Sequence, residues 1–166
     1  MKLLNSLVLS GLLLVASPIA ATAHEEATTE SVEAPWIVDK EASGLVFSGT
    51  QTGKAFSGTF SDFNAEITLD PDHLDAASII VTVRTKSAVT GDRQRDSALP
   101  GKDWFDEKNH PTAIFQSDSI SKAEDGTFVA KGALSLRGIS KELELPFTLN
   151  IEDGVALAEG SVQLIR

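Results

Sequence analysis

Phe128-Val129-Ala130-Lys131-Gly132-Ala133-Leu134-Ser135-Leu136, followed by Arg137-Gly138 and then by Ile139 to Ile151, is the stretch that decides the fold. Phe128, Ala130, Gly132, Leu134 and Leu136 fall on every second residue, and so do Leu143, Leu145, Phe147, Leu149 and Ile151. Side chains of an extended chain point alternately to opposite faces, so each run presents one apolar face. Arg137-Gly138 between them marks a hairpin in which Gly138 supplies a positive φ. That turn places Arg137 at a rim.

The same alternation extends in both directions. Ala156 to Ile165 continues it after the turn signal Asp153-Gly154, and Asp125-Gly126 is a second such signal upstream. Nearer the start lie Leu45 and Phe47, then Phe56, Gly58 and Phe60, then Phe63, Ala65, Ile67 and Leu69. The parity shift between Phe60 and Phe63 predicts a bulge or bend near Ser61-Asp62. Asp70-Pro71-Asp72 reads as a turn, and Ile79, Val81, Val83 and Thr85 as the next strand. Ile114 to Ile120 is a weaker strand. Only Gly91 to Asn109 breaks the pattern. Asp92 caps a short helix there through Leu99, ended by Pro100-Gly101, and Asp103 caps a second helical turn over Trp104 to Lys108. The body is therefore all-β and antiparallel, with a short helical insert. Periodicity fits a barrel and a sandwich equally, and does not say whether the interior is solid or holds a ligand.

The chain has 166 residues, 24 acids against 14 Lys and Arg, and a formal net charge of -10. This acidity argues against non-specific binding to nucleic acid or to an anionic bilayer. The absence of Cys excludes disulfides, thiolate metal sites and lipoprotein attachment. Residues 1–23 read as a secretory signal peptide: Lys2 at the start, an apolar run over Leu7 to Ala16, a break at Ser17-Pro18 and a small-x-small cleavage site at Ala21-Thr22-Ala23. No integral membrane segment is expected after cleavage. Residues 24–35 carry Glu25, Glu26, Glu30 and Glu33 with little apolar surface and read as an acidic, disordered linker. Residues 36–166 are the folding domain.

Two segments go beyond pattern. Gly101-Lys102-Asp103-Trp104-Phe105-Asp106-Glu107-Lys108-Asn109-His110-Pro111-Thr112-Ala113-Ile114-Phe115-Gln116-Ser117 is one, and Gly132 to Leu143 is the other. They resemble the two best-marked segments of the YceI-like family, and Phe56-Ser57-Gly58-Thr59-Phe60 and Trp36-Ile37-Val38-Asp39 are similar to two further ones, in the right order. The resemblance implies a lipocalin-like, extended antiparallel β-barrel in the bacterial periplasm. It implies a bound polyisoprenoid, isoprenoid quinone or similar long-chain lipid, no catalysis and no other cofactor. It also implies a homodimer. The competing reading is an interaction module for a membrane b-type cytochrome or another envelope complex. Members of the family usually run on past the position of Arg166, so closure of the barrel, with its last strand or strands missing, is a question for the structure.

Under that reading the apolar stripe becomes a ligand tunnel. Phe47, Phe56, Phe60, Val81, Val83 and Phe115 are expected to face inward, with Leu134, Leu145 and Phe147. Trp104 and Phe105 are expected to plug or gate one end. The basic residues Arg84, Lys86, Arg93, Arg95 and Lys102 cluster in an otherwise acidic chain, and Arg93 and Arg95 are the expected head-group contacts. His24, His73 and His110 lack metal-ligand spacing. No nucleophile elbow is present, so a Ser-His-Asp site is not expected.

Overall fold

The structure, a computed structural model, describes the backbone of residues 6–15 and the full residues 35–164. The linker and the cleavage site lie outside the described residues. Among the described residues eleven strands form one antiparallel sheet: β1 (Ser6–Val15), β2 (Val38–Asp39), β3 (Gly44–Gln51), β4 (Lys54–Phe60), β5 (Phe63–Asp70), β6 (His73–Arg84), β7 (Ala88–Val89), β8 (Thr112–Lys122), β9 (Phe128–Leu136), β10 (Ile139–Glu152) and β11 (Val155–Val162). Their order across the sheet is β5-β6-β8-β9-β10-β11-β1-β3-β4-β7, with β2 on β1.

The sheet curls because its two ends are one piece of chain. β4 and β5 are separated only by Ser61-Asp62, the bend that the parity shift predicts. β6 pairs with β5 (Phe63 opposite Val83), and β7 pairs with β4 (Phe60 opposite Ala88). Between β6 and β7 a single 3-10 turn, Thr85–Ser87, follows the same corner. The Ser61 amide donates to Ser87 O and the Arg84 amide to Asp62 O, so pairing continues around the bend. This decides the architecture in favour of the barrel. On the opposite side β1 lies between β11 and β3, with Val8 opposite both Ser161 and Val46. β1 falls within the segment expected to be a leader. Cleavage after Ala23 would remove it and leave the edges of β11 and β3 unpaired.

The β9–β10 hairpin forms in the predicted register, with Leu136 opposite Ile139 and Phe128 opposite Phe147. Arg137 and Gly138 have φ of 54° and 70°, the two left-handed positions of a type I′ turn. Gly132 is required by proximity. A Cβ there would stand 2.0 Å from Gln116 O, next to the irregularity of β8 between Ser117 and Ser119.

The insert departs from expectation at one point. A short helix, α1 (Arg93–Ala98), starts at Asp92, whose carboxylate accepts the Arg95 amide. The second helical turn expected over Trp104 to Lys108 is absent. Tight turns take its place, with the Trp104 and Asp106 amides donating to Gly101 O and the Phe105 amide to Leu99 O. Short-range bonds converging on Gly101 O leave no i to i−4 ladder. They turn both aromatic rings inward, where Trp104 and Phe105 are buried.

Candidate ligand-binding site

The apolar face of the strands forms two clusters inside the barrel. One contains Ile67, Leu69, Ile79, Phe115, Ile120, Phe128, Leu145 and Phe147. It is filled, with Phe128 and Phe147 stacked at 5.4 Å, and Ala65, Ala130 and Ala156 letting opposite walls approach. The other contains Leu45, Phe47, Phe60, Val83 and Ala88 from the walls and Leu99, Trp104 and Phe105 from the insert. The insert thus closes one end of the barrel as a cap.

Between the clusters lies a cavity of about 70 Å³. Its lining is hydrocarbon and aromatic throughout: Leu45, Phe60, Val81, Val83, Phe105, Ala113 and Phe115 on one side, Leu134, Leu136, Leu143, Leu145, Val162 and Leu164 on the other. A wider cavity of about 350 Å³ adjoins it. The two share Phe105, Leu134, Leu136, Leu143 and Leu164. The outer one adds Trp104, Ile139, Arg137, Lys141, Glu142 and Gln163, so polarity enters only at the mouth.

The structure sorts the expected tunnel residues. Phe60, Val81, Val83, Phe115, Leu134 and Leu145 line the inner cavity, Trp104 lines the mouth, and Phe105 lines both. Phe47, Phe56 and Phe147 line neither. Phe47 is fully buried among Phe56, Phe60 and Phe105, and Phe147 stacks on Phe128. Phe56 carries the cap: its ring packs edge-on to Trp104 at 5.9 Å, while the Arg95 guanidinium carbon lies over the ring, 4.4 Å from its centroid. Leu45, Ala113, Leu136, Leu143, Val162 and Leu164 also line the inner cavity. The alternation contains all of them but Ala113, and which part of each strand faces a void depends on the packing of the whole ring.

Arg93 and Arg95 line neither cavity. Arg93 is exposed at the start of α1. Arg95 is engaged: besides Phe56, it donates to Gln51 Oε1 at 3.4 Å and to Thr90 Oγ1 at 3.2 Å. Asp96 beside it accepts both the Thr90 hydroxyl (2.6 Å) and the Thr90 amide (2.8 Å), which hold its carboxyl below the usual 3.8. These residues fasten α1 to the barrel. The cations at the mouth are Arg137 and Lys141 instead.

The rest of the cap is fastened at the β9–β10 turn. Arg137 Nη2 donates to Lys102 O at 2.7 Å. His110 packs on Gly138, where a Cβ would meet the imidazole at 2.6 Å. Buried Thr85 receives the end of the cap, its hydroxyl donating toward His110 O and Pro111 O and its amide to Pro111 O. Among the described residues no three His, Asp or Glu side chains gather as metal ligands would. Among them, too, no helix is long and apolar enough to cross a membrane.

The sequence model for the YceI-like domain matches residues 36–166, from just before β2 to the end of the chain. The chain belongs to the YceI-like family. A UPF0312 protein of Azotobacter vinelandii is 28% identical over 115 residues, which is 68% of this chain and 60% of that protein. A UPF0312 protein of Pseudomonas savastanoi is 29% identical over 126 residues, 74% of this chain and 66% of that protein. The match thus spans less than two thirds of the length of these curated relatives. Among solved structures, Burkholderia cenocepacia BcnA superposes with a TM-score of 0.67 at 21% identity, over 77% of this chain and 99% of that one. The Campylobacter jejuni YceI protein does so at 0.54 and 19%, over 86% and 73%. At these identities the likeness is one of fold, and it confirms the lipocalin-like antiparallel architecture of this YceI-like chain.

Proposed function

We propose that this YceI-like barrel binds one elongated apolar molecule, a polyisoprenoid, an isoprenoid quinone or another long-chain lipid, and carries it through the periplasm without chemical change. The observation that supports the reading most is the continuity of the two cavities: an inner wall with no polar side chain opens to a mouth with four. A lipid has the same polarity gradient along its length. Its tail would leave water for a wall with no polar group to desolvate, gaining roughly 25 cal/mol per Å² of apolar surface buried before ordering costs. The inner cavity is narrow, so the tail enters by displacing flexible Leu side chains and the cap aromatics. A homodimer belongs to the same proposal; the alternative reading is an interaction module for a membrane b-type cytochrome or another envelope complex.

Native mass spectrometry of the full chain mixed with geranylgeraniol tests it. The expected result is a one-to-one adduct, weakened about tenfold or more by Ala113→Phe, which fills the inner cavity at a tolerable overpacking cost of about 1–3 kcal/mol. Absence of an adduct, or equal binding by the two proteins, would overturn the proposal.

A further inference from the structure

The mouth of the cavity carries a feature that apolar binding does not use. Its charged side chains are Arg137, Lys141 and Glu142, a positive balance in a chain of net charge -10. Arg137 occupies its position at a conformational cost. The first residue of a type I′ turn is normally Asn, Asp or Gly, and a side chain branching beyond Cβ at φ 54° costs roughly 1–2 kcal/mol. The hairpin does not require arginine to turn, because Asp153-Gly154 makes the same turn elsewhere in this chain with φ of 51° and 77°. A residue that the turn does not need directs attention to its side chain.

That side chain is fixed in place. One guanidinium N–H is held by Lys102 O at 2.7 Å, which orients the planar fork beside the cavity while its remaining donors match an anionic oxygen pair. Lys141 lies on the next strand of the same hairpin, across from Leu134, a residue that lines both cavities. The two cations and the apolar wall therefore border the same cavity.

Resting on the lipid-carrier reading above, we propose that Arg137 and Lys141 form an anionic head-group site, so that the preferred ligand is an acidic lipid bearing phosphate and not a neutral alcohol or quinone. Arg137 supplies the oriented donors and Lys141 a second positive charge. The basic cluster around Arg93 and Arg95, denser along the sequence, has no part in it.

The test is a titration of the full chain at low salt with three probes: geranylgeranyl monophosphate, geranylgeraniol and inorganic phosphate. The phosphate ester should bind about tenfold more tightly than the alcohol, and inorganic phosphate should neither bind measurably nor displace the alcohol. Arg137→Gln with Lys141→Gln should reduce the ratio of the two affinities to about twofold or less, with the far-UV circular dichroism of the wild-type chain retained to show that the barrel is intact. Arg93→Gln with Arg95→Gln should preserve the preference. Equal binding of the two lipids by the wild-type chain, a preference that survives loss of Arg137 and Lys141, or binding of inorganic phosphate as tight as that of the ester would each overturn the head-group site alone. Failure of both lipids to bind would overturn the carrier reading with it.

Discussion

One end of the barrel is filled by strand side chains and the other by a cap. At the filled end every large residue belongs to a ladder: Phe128 on β9 faces Phe147 on β10, with small alanines set between the walls. At the capped end the walls supply Leu45, Phe47, Phe60 and Val83, and a segment with one short helix supplies Leu99, Trp104 and Phe105. Ladder residues are held by backbone bonds on both sides. Cap residues are held by a few fastenings: Arg95 on Phe56, Arg137 on Lys102 O, His110 on Gly138 and Thr85 on Pro111. The difference teaches where movement is inexpensive. The filled end carries stability and the capped end carries access.

The largest expected effect is at the filled end. Phe128→Ala removes a ring that is 3% exposed and unstacks Phe147, and it should cost about 3–5 kcal/mol, read as a large fall in Tm or in the urea midpoint. Trp104→Ala should cost less, about 2 kcal/mol, because its ring already borders a cavity and no ladder runs through it. Its effect should appear instead in ligand release, measured as a rise in the lipid off-rate. If Trp104→Ala proves as destabilising as Phe128→Ala and leaves the off-rate unchanged, the contrast between the two ends is wrong.

The smallest effect concerns the fastening of α1. Asp96 is stabilised as the carboxylate by Thr90, so its folded pKa lies below 3.8. A depressed carboxyl contributes stability above its unfolded pKa and loses it as pH falls through the folded value. Between about pH 5 and about pH 2.5, wild-type Tm should therefore fall slightly more than that of Asp96→Asn, which lacks this ionisation. A slope identical in the two proteins would remove Asp96 from the account of the cap.

The strands were legible because period-two alternation is a local signal, and the ring they form leaves it undisturbed. Even the corner at Ser61-Asp62 was visible as a change of parity. Trp104 and Phe105 were legible as a plug because two adjacent large aromatics in a polar, turn-rich segment must find cover. The missing second helical turn was not, since convergence of the Trp104 and Asp106 amides on Gly101 O is a matter of folded geometry. The basic residues that border the cavity were not singled out, for a different reason. Charge density along the chain peaks around Arg93 and Arg95, but Arg95 is engaged by Phe56, Gln51 and Thr90. Arg137 was expected at a rim, but the meeting of that rim with the open end of the apolar cavity depends on how the ring closes. Leu164 was missed as a cavity residue on the same ground: it lies beyond β11, where no ladder sets its direction.

The central claim is that the apolar interior behind the cap takes up a lipid tail, and Trp104 reports on it. The chain has two tryptophans, and the other, Trp36, packs against the filled cluster with its indole N–H donated to Leu69 O. In a Trp36→Phe variant, fluorescence titrated with geranylgeraniol should change saturably, with a one-to-one end point. In a Trp104→Phe variant the remaining Trp36 signal should stay constant while the lipid still binds. A flat titration in the Trp36→Phe protein under conditions where Trp36 responds in the other would place the lipid away from the cap and contradict the account.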